Sequence, residues 1–377
     1  MQPLRSFLGA VAGFLLLGSA ISSPLQAQTT LAAPGDTLCD LRGVVNVSVC
    51  NLHARADFES PMETQALLGM PVRIHHKARW YQIETIDGYQ AWAHRAVVVP
   101  MDSTDFARWE AAPKLICTAT YAQIYATPEP DALPMGDLVS GCILELRGKE
   151  GRFYQAAYPD GREGYVLQSQ VLPLNQWLAQ CEPTLPRFIH TAQTLTGIPY
   201  LWAGTSAKGL DCSGLVQLAA QLNGAVLPRN ASQQARCGTR IPCFRTSDGR
   251  MLSSLASADS LRRYPVLTDA TSAKSLMDAL AAPARFFGVS IDLSQLQPGD
   301  LVLFGKPHCN GKERVSHIGI YLGQGRFIHS QGFVHTSSLI PGQPGYDAMN
   351  HSRFLGATRT ADAQGRLQAP LLEQFIR

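Results

Sequence analysis

A tetrapeptide that returns after 73 residues constrains this chain more than any other feature: Arg79-Trp80-Tyr81-Gln82 reappears as Arg152-Phe153-Tyr154-Gln155. At the same offset Asp87-Gly88 becomes Asp160-Gly161 and Trp92 becomes Tyr165, with no gap. Ungapped self-similarity of this kind marks two copies of one folding unit. Within each copy apolar and polar residues alternate in short runs, as in Trp80-Tyr81-Gln82-Ile83-Glu84-Thr85-Ile86, and Asp-Gly or Gly interrupts them. Alternation sends successive side chains to opposite faces of a strand, and Asp-Gly supplies a tight turn between strands. The sequence therefore predicts two small β-barrels, at about 44–100 and 114–173, with Trp80 and Phe153 in their cores. Pro100 and Pro113 bracket a short helical stretch, Ser103–Ala112, that separates them.

The chain has 377 residues, of which 45% are hydrophobic and 16% charged, so it must bury cores and cannot be a disordered or fibrous protein. Thirty-two basic residues against 29 acidic ones leave a net charge of +3, which gives no electrostatic case for nucleic acid as a partner. Residues 1–27 have the layout of a secretory signal peptide: a basic start ending at Arg5, an apolar run from Phe7 to Leu17, and small residues up to Ala27. That run is too short to cross a bilayer of roughly 30 Å, so no membrane span is expected once it is removed. The expected location is an exported space, periplasmic or extracellular. Thiols pair there, and nine cysteines, an odd number, leave one over. No C-x-x-C pair occurs, so no structural metal is expected, and no cofactor motif is present.

From Leu174 the pattern changes. Phe188–Leu195 and Ser213–Leu222 read as helices, the first closed by Gly197 and Pro199, the second by Gly224. Asp300–Phe304, His317–Leu322 and Arg326–His329 read as strands, the last two joined at Gly323–Gly325, which makes an α+β plan. Asp211 caps the second helix, and Cys212 occupies its first turn, where unpaired N–H groups and the helix dipole favour a thiolate. His317 and His329 lie about equally far from the hairpin turn, so both fall at one end of the sheet, His317 placed as base and His329 as its orienting partner. Taken singly, such a cysteine or histidine is more often structural; the case rests on the set.

The ordered motifs Pro199-Tyr200-Leu201-Trp202-Ala203-Gly204, Leu210-Asp211-Cys212-Ser213-Gly214-Leu215, Leu296-Gln297-Pro298-Gly299-Asp300-Leu301, Ser316-His317-Ile318-Gly319-Ile320-Tyr321-Leu322-Gly323 and Phe327-Ile328-His329 resemble the NlpC-type cell-wall cysteine peptidases over about residues 185–358. The repeated modules resemble bacterial SH3-type domains. The resemblance implies a papain-like α+β catalytic domain preceded by two small SH3-like β-barrels: a first with its linker at 28–110, a second at 111–175, and the catalytic domain at 176–377, with an insertion at about 237–288. It implies a Cys212-His317-His329 triad, with the Tyr200 hydroxyl helping to stabilise the oxyanion.

The two-module arrangement resembles a narrower group, the γ-D-glutamyl-L-diamino acid endopeptidases. That likeness implies peptidoglycan stem peptides as partners, a requirement for a free N-terminal L-Ala, and Tyr89, Trp202, Asp211, Ser213 and Arg229 in the substrate pocket, with Glu63 a further candidate. Position 89 corresponds to Arg162 in the second copy, so the copies differ where only the first is expected to act. Asn230-Ala231 stands where many relatives carry an acid and a serine. A monomer is expected. Setting Cys212 aside leaves eight cysteines, of which Cys117–Cys142 and Cys237–Cys243 are the expected local bridges. The alternatives are an inactive wall-binding protein and an acyltransferase on the same fold.

Overall fold

The computed structural model describes residues 37–376 except 130, 247, 256–288 and 308–312. The expected signal peptide, Cys309 and most of the insertion lie outside the described residues. Seven strands form a first antiparallel sheet: β1 (Thr37–Val45), β2 (Val49–His53), β3 (Met62–Leu67), β4 (Pro71–Lys77), β5 (Trp80–Glu84), β6 (Gln90–His94) and β7 (Val98–Met101), in the order β3-β2-β6-β5-β4-β1-β7. After helix α1 (Ser103–Ala111) a second sheet contains β8 (Lys114–Cys117), β9 (Tyr121–Tyr125), β10 (Pro134–Val139), β11 (Ile143–Glu150), β12 (Phe153–Ala157), β13 (Glu163–Leu167) and β14 (Val171–Pro173), in the order β10-β9-β13-β12-β11-β8-β14.

The two orders are identical strand for strand, which is the structural form of the sequence repeat. Gly88 and Gly161, at φ 78° and 87°, make the equivalent turns between β5 and β6 and between β12 and β13. Trp80 and Phe153 are buried as expected. The ladders do not close into barrels: β3 and β7 end the first order, β10 and β14 the second. Beside β3 stands the C-terminal region, where the Thr205 N–H donates to Gln65 Oε1 at 2.9 Å and the Thr205 hydroxyl to the Gln65 carbonyl at 3.3 Å. The apolar faces of both sheets share one core, Leu52, Ile74 and Ile83 with Ile116, Ile124 and Val166, and the C-terminal Leu372 and Ile376 join it. Each such side chain contributes on the order of 1.5–3 kcal/mol by leaving water.

Helix α1 is capped by Asp102 and buries Phe106 and Trp109. Helix α2 (Leu174–Gln180) leads to α3 (Leu185–Thr194), which begins a turn before the expected Phe188 because Pro186 is tolerated in a first helical turn. A two-residue hairpin, β15 (Thr205–Ser206) with β16 (Gly209–Leu210), runs into α4 (Cys212–Gln221), followed by α5 (Ala231–Gln234). Strands β17 (Thr239–Ile241), β18 (Phe244–Thr246), β19 (Met251–Leu252), β20 (Val289–Ile291), β21 (Leu301–Pro307), β22 (Glu313–Gly323), β23 (Arg326–Gln331) and β24 (Phe333–Ser338) come next, then α6 (Ala348–Ser352), β25 (Phe354–Arg359) and α7 (Glu373–Ile376). The main sheet has the order β17-β25-β21-β22-β23-β24. Leu215, Val216, Leu218 and Ala219 of α4 pack on Ile318, Ile320 and Ile328 of that sheet.

The described start of the insertion is part of the packing: β17 pairs with β25, and Phe244 is fully buried with its ring 5.7 Å from that of Phe354. Neither expected bridge is present. Cys117, Cys142, Cys237 and Cys243 are free thiols. Their sulfurs turn to different acceptors: Cys117 to the Ala119 carbonyl, Cys142 to that of Ser48 in the first sheet, Cys237 to Gln233 and Cys243 to Ile241. Among the described residues no helix is long and apolar enough to cross a membrane.

Candidate active site

Asp211 holds the start of α4. Its Oδ1 accepts from the Gly214 N–H at 2.7 Å and from the Ser213 hydroxyl at 3.1 Å, which satisfies a donor the helix itself leaves unpaired. The turn before it is tight: Ala203 has φ 62°, and a Cβ on Gly214 would lie 2.0 Å from the Gly204 carbonyl oxygen. That close approach seats Cys212 in the first turn, 7% exposed, with the N–H groups of Ile318 and Ser213 close enough to favour a charge on its sulfur. Ile318 follows His317, so the sulfur sits one residue along the chain from the expected base.

His317 and His329 meet directly. The β22–β23 register pairs Ile320 with Ile328, and His317 Nε2 lies 2.8 Å from His329 Nδ1. His329 Nε2 in turn lies 3.1 Å from the Ser337 hydroxyl. This leaves His317 Nδ1 as the ring nitrogen available to a thiol. Tyr200 is brought alongside by a parallel bridge to Leu210 and by its N–H donating to Gly332 at 2.8 Å. Burial, then the nearby Cys212 and Asp211 charges, raise its phenol to about 12, so the hydroxyl stays a donor.

The electrostatics differ from the sequence expectation of a stabilised thiolate. Burial, then the neighbouring Asp211 charge, push the Cys212 thiol up to about 12, against the smaller pull of the two N–H groups and Arg229. Burial also presses His317 down to about 3, helped by Arg353 and His335, and His329 to about 2, helped by His317 and His335. The resting group is a neutral thiol with two neutral imidazoles, because desolvation penalises every charged form and outweighs the helix terminus.

The expected pocket residues divide. The Tyr89 hydroxyl donates to Glu63 Oε2 at 2.6 Å, and the Asn230 side chain lies near it. Arg229 is 2% exposed: Nε donates to Thr64 Oγ1 at 3.0 Å, Nη1 to Ser213 Oγ at 2.9 Å and to Asp211 Oδ1 at 3.1 Å, and Nη2 to Asp211 Oδ2 at 2.5 Å. Asp211 and Ser213 are committed to that cluster. Trp202 is 69% exposed. Thr64, Ser337, His335 and Arg353 join the site without a sequence signal. No local motif marks them, and each is brought in by pairing or packing between distant segments.

A cysteine in the first turn of a buried helix, packed on a sheet that carries a hydrogen-bonded histidine pair, is an arrangement suited to nucleophilic attack by a thiol. Residues 197–353 match the NlpC/P60 family, and the chain carries a domain of that family. The chain is 24% identical, over 76% of its length and 72% of the relative's, to a gamma-D-glutamyl-L-lysine dipeptidyl-peptidase of Bacillus cereus. A Bacillus subtilis protein of the same name is 26% identical over 50% of this chain and 44% of its own length. Among solved structures, an NlpC/P60 family protein from Bacillus cereus superposes with a TM-score of 0.59 at 21% identity, covering 84% of this chain and 99% of its own. An NlpC/P60 endopeptidase from Photobacterium damselae subsp. piscicida gives 0.51 at 16% identity, covering 90% and 74%.

Proposed function

We propose that the protein is a cysteine peptidase of peptidoglycan that hydrolyses the γ-D-glutamyl to L-diamino acid bond of stem peptides carrying a free N-terminal L-Ala. The observation that carries this reading is the junction of two sets: Cys212 beside Ile318, with His317 2.8 Å from His329, and Glu63 joined to Tyr89 across from Asn230. The family match and the names of the two Bacillus relatives support it.

The neutral resting site implies that the thiol proton passes to His317 Nδ1 as the sulfur attacks the carbonyl, not beforehand. Tyr200 and the Cys212 N–H steady the oxyanion, His317 returns the proton to the leaving amine, and water then releases the acyl group with His317 as base. Asp211 is neutralised by Arg229, so Glu63 is the carboxylate offered to the substrate's ammonium, with the Tyr89 oxygen beside it. A buried ammonium needs such a partner, and an acylated amine would leave the Glu63 charge without a cation. We assign the two open sheets to SH3-like modules, the first supplying Glu63 and Tyr89. An exported location, periplasmic or extracellular, goes with a wall substrate.

Purified protein incubated with L-Ala-γ-D-Glu-diaminopimelate should release the L-Ala-γ-D-Glu dipeptide, and the N-acetylated peptide should be cut far more slowly. Equal cleavage of the two would remove the amine requirement. Cleavage undiminished by Cys212→Ala would remove the mechanism.

A further inference from the structure

Arg353 stands beside the reacting groups with no carboxylate paired to it. Strand β21 lies between β22 and β25, and its Phe304 pairs with His317 on one side and with Phe354 on the other. Arg353 immediately precedes Phe354, and its carbonyl accepts from the Gly305 N–H at 2.9 Å, which holds it at the His317 end of the sheet. Its Nε and Nη2 donate to Asn350 Oδ1 at 3.0 and 2.8 Å. Asn350 is fully buried and its amide nitrogen donates to Gln331 and Asp347, so its oxygen is fixed toward the guanidinium. These bonds occupy one edge of the guanidinium fork. Among the described residues Nη1 has no hydrogen-bond partner, and no carboxylate lies within ion-pair distance of the group. The Asp347 charge reaches Arg353, but both Asp347 oxygens accept from Asn350 at the start of α6. The free edge, Nη1 with the second Nη2 hydrogen, is the geometry that takes a carboxylate two-pronged, and a half-buried cation is stabilised by one.

The place of this edge follows from the chemistry beside it. After burial, Arg353 is the next influence on His317, and the Cys212 sulfur acts on Arg353 in turn, so the guanidinium is close to the atoms that react. On the peptidase reading the substrate's amine meets Glu63 of the first sheet, the side to which Arg229 ties the cysteine helix through Thr64. His317 protonates the leaving amine, so the leaving residue runs along the other wall, the sheet that carries His317 and Arg353. We propose that Arg353 binds a carboxylate of the leaving diamino acid and so sets specificity on that side of the bond. Two carboxylates have this chemistry: the side-chain carboxylate of diaminopimelate, which lysine lacks while matching the rest of the residue, and the chain-terminal carboxylate of a stem that ends there. The inference deepens the peptidase reading and rests on it for the direction in which the peptide runs.

The test gives the full chain three peptides: L-Ala-γ-D-Glu-diaminopimelate, the same peptide with L-Lys in place of the diamino diacid, and the diaminopimelate peptide with its chain-terminal carboxylate amidated. The parent should cut the first with a kcat/KM at least about tenfold above one of the other two, and Arg353→Gln should bring that ratio to within about threefold of unity. Arg353→Lys, which keeps a charge, should retain most of the preference. Each ratio compares two peptides on one protein, so a general effect of the lost charge on the thiol, or an unfolded fraction, cancels. Discrimination against the lysine peptide assigns the side-chain carboxylate to Arg353, and discrimination against the amide assigns the chain end. Equal cleavage of all three by the parent, or a preference that survives in Arg353→Gln, overturns the proposal and leaves the peptidase reading standing. If the parent cuts none of them the peptidase reading falls, and calorimetry on Cys212→Ala decides the carboxylate site alone. Binding of the first peptide that weakens in the Arg353→Gln background then supports the site; binding indifferent to Arg353, or none, overturns it.

Discussion

Arg229 and Asp211 form a buried two-pronged ion pair, Nη2 2.5 Å from Oδ2 and Nη1 3.1 Å from Oδ1, and Arg229 Nε reaches Thr64 of the first sheet. One guanidinium thus ties the cap of the cysteine helix to a separate module. Truncating one partner of a buried pair strands the other charge. Arg229→Met should therefore cost about 3–5 kcal/mol, whereas Thr64→Ala, which removes one hydrogen bond, should cost about 1 kcal/mol. Chemical denaturation of both variants checks this, and equal losses would mean that the ion pair holds the helix cap no more firmly than the single hydrogen bond does.

Among the described residues Glu63 accepts a hydrogen bond from Tyr89, and on the peptidase reading it faces the substrate's amine. Glu63→Gln keeps the shape and removes the charge. It should lower kcat/KM on the free-amine peptide by about tenfold or more, corresponding to about 1.4 kcal/mol, and leave the poor rate on the acetylated peptide unchanged. A parallel fall on both substrates would place Glu63 outside amine recognition.

Stability should fall on acidification. In the unfolded chain an imidazole binds its proton below about 6.5, whereas in the fold His317 stays neutral down to about 3 and His329 to about 2. Between those limits the unfolded state binds more protons, so stability is fully present above about 6.5 and drains away as pH falls toward 3. A His317→Asn, His329→Asn double variant should show a flatter dependence of melting temperature between pH 7 and 4. Equally steep curves would mean that carboxylates elsewhere set the acid limit.

The Tyr200 hydroxyl, raised to about 12, keeps its proton and stays a donor throughout the neutral range. Tyr200→Phe should reduce kcat by roughly 10- to 100-fold, toward the range seen when an oxyanion donor is lost, with KM little changed. A loss confined to KM would assign the hydroxyl to substrate binding.

Much of this arrangement is written locally. Asp-Gly turns with strand alternation specify the two repeated sheets, and the Asp211 cap with the apolar face of Leu215, Leu218 and Ala219 specifies the cysteine helix to within one residue. The Gly323–Gly325 turn specifies the hairpin that unites His317 with His329. Closure of the barrels, the two local bridges and the ionisation of Cys212 were not legible in this way. Each depends on what approaches from a distant part of the chain: Thr205 beside β3, the Ser48 carbonyl at the Cys142 thiol, and the protein packed around the Cys212 sulfur.

The sequence by itself determined the elements and named the candidates for nucleophile, base and orienting group, because periodicity, caps and turns act over a few residues. The tertiary structure decided their protonation and their partners. Desolvation and ion pairing depend on which surfaces pack together, so only the assembled fold could give Arg229 to Asp211, leave Glu63 beside Tyr89, and set Ser337 at the end of the histidine line.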